Sequence, residues 1–168
     1  LGDVDISGKT KLMKSGFVNR TESIILKGDQ FINLQLIEKD AFQGFLGNYV
    51  LFENNFGKLE TIGDSSFNNT HNVYFLKDKN QMRNTNTSQY ELADYPKLSE
   101  IKTKAFEKCE NVYMFIKCHN LNKIEEEAFS NIKNLQMNLE LSSLKILKDR
   151  SSMDPKKDNN KYEVNKDK

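Results

Sequence analysis

A six-residue frame recurs five times along the chain, and no other feature narrows the possible folds as far. The copies run from Leu12 to Phe17, Ile37 to Phe42, Ile62 to Phe67, Ile101 to Phe106 and Ile124 to Phe129. Each begins with an aliphatic residue and ends in phenylalanine, and the residue before the phenylalanine is always small: Gly16, Ala41, Ser66, Ala105 and Ala128. Leucine stands three positions ahead of the aliphatic in four copies, as Leu34, Leu59, Leu98 and Leu121. A fixed period of this kind is the mark of a stacked array, in which each unit completes its neighbour's core and none is stable alone.

The phenylalanines are 25, 25, 39 and 23 residues apart, so the third interval holds about 15 extra residues. The excess falls at about residues 78–96, whose centre from Lys79 to Ser88 is polar and without apolar periodicity. It reads as a surface excursion that the solenoid continues past. Between the frames lie short apolar runs rich in β-formers: Ile24 to Leu26, Tyr49 to Phe52, Val73 to Leu76, Val112 to Ile116 and Leu135 to Leu141. Their length suits one buried parallel strand per repeat. The phenylalanine segments are long enough for one or two helical turns, which would form the opposite wall and place the five rings in one column.

The ends differ from the middle. Val4 to Ile6 reads as a strand of a preceding cap or degenerate turn, and Leu144 to Leu147 starts a sixth turn without its phenylalanine. Residues 1–150 are thus expected to be one solenoid of about five repeats, and residues 151–168, rich in Lys, Asp and Asn, a frayed or disordered polar tail. Because the chain begins without methionine, it reads as a mature or excised fragment.

The best copy, Leu98-Ser-Glu-Ile101-Lys-Thr-Lys-Ala-Phe106-Glu-Lys-Cys109-Glu-Asn-Val112, resembles the BspA-type leucine-rich repeat. Residues 12 to about 147 fit that pattern, with departures at the cysteine position (Arg20, Phe45, Thr70 and Ile132 elsewhere), at the absent strand-ending proline and at the insertion. The resemblance implies an α/β, right-handed leucine-rich-repeat solenoid with short parallel strands on the concave face and short helical turns or loops on the convex face. It also implies a surface or secreted protein that binds host or matrix proteins.

Charge argues against a nucleic-acid partner, since 25 basic residues stand against 24 acidic ones. No apolar run approaches the ~18 residues of a membrane helix, so membrane insertion of this fragment is not expected. Mean hydropathy is −0.70. Cys109 and Cys118 are too few for a disulfide framework and, with His71 and His119, show no zinc spacing. Cys109 occupies a repeat position and reads as a buried spacer. Glu125 to Glu127 lack a calcium-loop pattern, and a place near a helix N-terminus suffices to explain them. No nucleophile elbow or phosphate loop occurs. Neither catalysis nor a cofactor is expected, therefore. Asn19, Asn68 and Asn86 begin N-x-[ST] tripeptides, the last in the insertion.

The strand runs carry apolar residues at successive positions, so both faces of the sheet look apolar and the register stays open. In one register Leu26, Leu51, Leu76 and Phe115 point inward; Ile25, Val50, Phe75 and Met114 then line an exposed column, with Phe52 and Ile116 in the next beside Lys27 and Lys77. Shifted by one, the exposed set is Ile24, Tyr49, Tyr74 and Tyr113. Either way an aromatic or apolar face is offered to a protein ligand. The alternative is a structural spacer or a self-assembling homodimer.

Overall fold

The computed structural model describes residues 11–12, 22–142, 146–147 and 161–166, the last two segments as backbone only. Its strands build two parallel sheets. The short sheet stacks β1 (Lys11–Leu12), β3 (Leu36–Ile37), β5 (Thr61–Ile62), β8 (Glu100–Ile101), β10 (Lys123–Ile124) and β12 (Ile146–Leu147) in that order. The long sheet stacks β2 (Ile24–Lys27), β4 (Val50–Glu53), β6 (Asn72–Leu76), β9 (Asn111–Lys117), β11 (Asn134–Leu141) and β13 (Lys161–Lys166), with β7 (Ala93–Asp94) also paired to β9. The chain alternates between the sheets, so each coil contributes one strand to each. This is a parallel β-solenoid of about five turns.

The repeat frame becomes the core. Ile37, Ile62, Ile101 and Ile124 are buried on the short sheet, and Leu34, Leu59, Leu98 and Leu121 form a second buried column. Phe42, Phe67, Phe106 and Phe129 stack with centroids 5.0, 5.0 and 5.2 Å apart and planes within 10° of parallel. Phe17 lies outside the described residues. A second stack, Phe52 on Phe75 at 4.6 Å, packs edge-on against the first. Edge-to-face packing of rings is favourable beyond the area it buries, by about 0.5–1.5 kcal/mol a pair.

The phenylalanine segments are turns, not helical turns, and no α-helix occurs among the described residues. Two residues per coil, two positions before and two after the phenylalanine, have left-handed backbone: Asp40 and Gly44, Ser65 and Asn69, Lys104 and Lys108, Glu127 and Asn131, with φ between 52° and 68°. That conformation interrupts a helix after one turn. It also aims backbone N–H groups at the next coil. Phe42 N donates to Ser66 O at 2.7 Å, Phe67 N to Ala105 O at 2.8 Å and Phe106 N to Ala128 O at 2.8 Å. The left-handed residues add Gly44 N to Asn68 O, Asn69 N to Glu107 O and Lys108 N to Ser130 O, all 2.9 Å. Small side chains precede the phenylalanines because those positions are buried where coils pass at hydrogen-bonding distance. Of the helical turns or loops expected on this wall, the non-helical alternative is the one found, and among the described residues 3₁₀ helices are confined to the insertion.

Within the segment expected to be a frayed tail, β13 pairs in parallel with β11 from Gln136↔Lys161 to Leu141↔Lys166. The rest of residues 148–168, like Val4 to Ile6, lies outside the described residues.

Candidate functional site

The strand register is fixed by parity. Ile24, Val50, Val73, Val112 and Leu135 align in one inward column, and Leu26, Phe52, Phe75, Met114 and Met137 in another. Val50, Phe52, Phe75, Met114 and Ile116 are therefore core residues at 0% exposure, which corrects their expected place on an exposed column. Of that set only Ile25 points outward and is partly exposed. Leu51, Leu76 and Phe115, expected inside, belong to the outer face, while Leu26 is inside as expected. The alternative register holds for Tyr49, Tyr74 and Tyr113, though Ile24 is buried.

Leu51, Leu76 and Phe115 are nonetheless covered, and the insertion covers them. It leaves the long sheet after Leu76 and returns as Ala93, which pairs with Ile116 directly beyond the Phe75↔Met114 pair and one intervening position. The excursion is therefore residues 77–92, against the expected range of about 78–96. Tyr95 already belongs to the core, packed at 5.5 Å against Phe56. Residues 77–92 form a flap holding two 3₁₀ helices, Lys79–Arg83 and Thr87–Gln89. A capping box at Asp78 and Gln81 opens the first helix. Tyr90 meets Phe115 edge-on at 4.7 Å, and Met82 and Leu92 pack on the same cluster. The Tyr90 hydroxyl reaches Gln81 O at 2.5 Å and Asn84 O at 2.6 Å, which ties the flap to itself. The polar centre of the segment hid this role. Its signal was the apolar spacing of Met82, Tyr90 and Leu92 at the margins.

Beside the flap the outer face stays open as a row of rings. Tyr49 meets Tyr74 edge-on at 6.1 Å, and Tyr74 meets Tyr113 at 5.3 Å with planes tilted by 47°. Gln136 follows Tyr113 in the same column, and its Nε2 donates to the Tyr113 hydroxyl at 3.1 Å; Asn134 Nδ2 donates to the same oxygen at 3.3 Å. The far margin is an asparagine ladder in which Asn111 Nδ2 donates to Asn72 Oδ1 and Asn72 Nδ2 to Asn48 O, both at 2.6 Å. Partial burial and the neighbouring phenols Tyr113 and Tyr49 push the Tyr74 hydroxyl above its ordinary acidity range.

The cysteines, the histidines and the acidic run serve the fold or its rim. Thr70 Oγ1 donates to Phe42 O at 2.7 Å, and Cys109 Sγ, at the equivalent position one coil later, to Phe67 O at 3.1 Å. The repeat's cysteine position thus satisfies a carbonyl of the preceding coil. Both cysteines are buried free thiols, and burial raises Cys118 to about 12. His119 Nδ1 lies 2.9 Å from Ser142 Oγ, while its Nε2 is 3.9 Å from a Glu140 oxygen, beyond hydrogen-bonding reach on an exposed rim. His71 is exposed elsewhere. No group of three metal-ligating side chains occurs among the described residues. Glu125 to Glu127 lead into a turn instead of a helix N-terminus, with Glu127 left-handed and Glu125 bound to Lys123 at 2.7 Å. A shallow polar recess of about 470 Å³ beside the flap is lined by Lys77, Asp78, Gln81 and Glu91 among others. No helix among the described residues is long and apolar enough to cross a membrane.

A family model of the BspA-type leucine-rich repeat region matches residues 35–151 in six copies. No curated protein and no solved structure matches the chain.

Proposed function

Since the chain belongs to the BspA-type leucine-rich repeat family, whose solenoids suggest protein-interaction modules and are commonly surface-associated, we propose that it is a non-enzymatic protein-binding module of a cell-surface or secreted protein, acting in adhesion or in contact with host or matrix proteins. The ligand seats on the outward face of the long sheet, taken from the family resemblance as the concave side of a right-handed coil. The observation that carries this reading is the shelf of Tyr49, Tyr74 and Tyr113, three amphipathic rings side by side and partly exposed. Tyrosines of this kind supply large contact area at low entropy and are enriched at binding hot spots.

The test pairs the native chain with a Tyr74→Lys/Tyr113→Lys variant whose fold is checked by circular dichroism. Both are screened against an array of purified extracellular proteins and weighed by light scattering. The reading expects a monomer, with ligands bound by the native chain and lost by the variant. A native dimer that the variant splits would assign the shelf to self-assembly, and ligands held equally by both proteins would remove the shelf from the interface.

A further inference from the structure

We propose that Asn86, between the two 3₁₀ helices of the flap, is the attachment site of an N-linked glycan, and that the fold withdraws the equally matched tripeptide at Asn68 from modification. The site lies outside the tyrosine shelf and takes from the binding reading only the passage of the chain through a secretory compartment.

An N-x-[ST] tripeptide in a folded protein serves as an acceptor where an enzyme reaches both the asparagine amide nitrogen, which takes the sugar, and the hydroxyl two residues on. Of the three such tripeptides, the one at Asn19 lies outside the described residues. At Asn68-Asn-Thr70 the fold uses both groups. Asn68 Nδ2 donates to Glu107 Oε1 at 3.1 Å, and Thr70 Oγ1, on a residue 1% exposed, donates to Phe42 O at 2.7 Å. One bond runs to the following coil and one to the preceding coil. Freeing this tripeptide therefore means parting the solenoid beside its stacked rings, with Phe42 O left buried and unpaired.

Asn86-Thr87-Ser88 is open instead. Asn86 and Ser88 are both exposed. Asn86 Oδ1 accepts from Ser88 Oγ at 2.5 Å and from Ser88 N at 3.3 Å, while Asn84 Oδ1 accepts from Asn86 N at 2.9 Å. All three bonds are local to residues 84–88, so an enzyme can draw this tripeptide out without disturbing a coil. Asn86 Nδ2 has no hydrogen-bond partner among the described residues, which leaves the reacting nitrogen uncommitted. The Tyr90 hydroxyl, bonded to Gln81 O and Asn84 O, holds the base of the flap. Asn84 and Gln89, on either side of the tripeptide, line the polar recess, so a sugar there borders hydrogen-bonding groups. In the transfer a bond forms between Asn86 Nδ2 and the sugar C1 as the bond from C1 to the diphosphate of a lipid-linked oligosaccharide breaks. The lipid diphosphate leaves with the bonding electrons, and one of the two amide protons passes to solvent.

The test sets the intact folded chain beside free peptides of residues 64–74 and 82–92, each incubated with a eukaryotic single-subunit oligosaccharyltransferase and a lipid-linked oligosaccharide. Sites are read by mass spectrometry after peptide:N-glycanase in heavy-oxygen water, which marks each former glycan site as labelled aspartate. Both peptides should be glycosylated, since both tripeptides match, whereas the folded chain should be glycosylated at Asn86 and not at Asn68. Asn86→Gln and Ser88→Ala should each abolish the flap glycan, and Asn68→Gln should leave it unchanged. A folded chain that stays unmodified at Asn86, or that takes sugar at Asn68 as readily, overturns the proposal. Refusal of the free 64–74 peptide would trace the selectivity to sequence and overturn the role given to the fold. Each of these failures leaves the binding reading standing, because ligand loss in the Tyr74→Lys/Tyr113→Lys variant is measured without any glycan.

Discussion

Replacing Phe67 by alanine should cost this protein about 4–5 kcal/mol, near the upper end for a buried phenylalanine. The ring is fully buried. It stacks on Phe42 and Phe106, each at 5.0 Å, and meets Phe52 and Phe75 edge-on at 5.8 and 5.9 Å. Truncation removes the transfer energy of the side chain and leaves a void, and the void term grows when the surroundings cannot close in. They cannot here, because backbone hydrogen bonds at Phe42–Ser66 and Phe67–Ala105 hold the flanking coils at fixed spacing. Phe129 provides the internal comparison. It is equally buried but has one stacked ring neighbour among the described residues, Phe106 at 5.2 Å. With each aromatic pair worth about 0.5–1.5 kcal/mol, Phe129→Ala should cost about 3 kcal/mol. Urea unfolding followed by far-ultraviolet circular dichroism measures both losses, and a matching thermal scan should place the Phe67 variant about 10–20 °C below the native chain. A loss under about 2 kcal/mol for Phe67→Ala, or no difference between the two variants at unchanged urea dependence, would refute the idea that the ring column is a rigid, coil-spanning core.

Other consequences can be checked on the same preparations. The buried Tyr95 hydroxyl finds no hydrogen-bond partner among the described residues, so Tyr95→Phe should stabilise the fold by about 1 kcal/mol in urea. Burial also raises its pKa well above the ordinary value, so the native state holds this proton more tightly than the unfolded chain. Its contribution is complete below pH ~10 and is lost as pH rises past that unfolded value; native unfolding above pH 10 should therefore be steeper than that of Tyr95→Phe, and identical alkaline profiles would contradict the assignment. Lys108 has φ 63° and an exposed side chain, so Lys108→Gly should relieve backbone strain and gain about 1 kcal/mol, whereas Lys102→Gly, outside the left-handed set, should lose stability. Excising residues 77–92 and joining Leu76 to Ala93 should keep the native circular dichroism yet expose Leu51, Leu76 and Phe115, read as new binding of a hydrophobic dye; loss of the fold would make the flap part of the core. Cys118, raised to about 12, and Cys109, raised further by burial, should resist a thiol reagent at pH 8 until urea unfolds the chain.

The periodic pattern determined the array, because a solenoid core is built from residues at equivalent places and equivalence shows as repetition. Leu34, Ile37, Ala41 and Phe42 and their counterparts announced their columns by spacing alone, and the apolar runs announced one strand per coil. The tyrosine shelf was legible only as one of two registers. Parity could not be settled locally, since a strand such as Asn72–Leu76 carries apolar residues on both faces, and a one-residue slip exchanges them. Only the tertiary structure supplies the reason both faces are apolar: the flap brings Met82, Tyr90 and Leu92 back over Leu51, Leu76 and Phe115, contacts that join residues distant in sequence and follow no period. The left-handed turns were equally hidden, for Lys104, Lys108 and Glu127 carry no local preference for that backbone and adopt it because hydrogen bonds to adjacent coils outweigh the strain. Repetition therefore wrote the core into the sequence, whereas the part of the outer face that stays open was decided by the one segment that does not repeat.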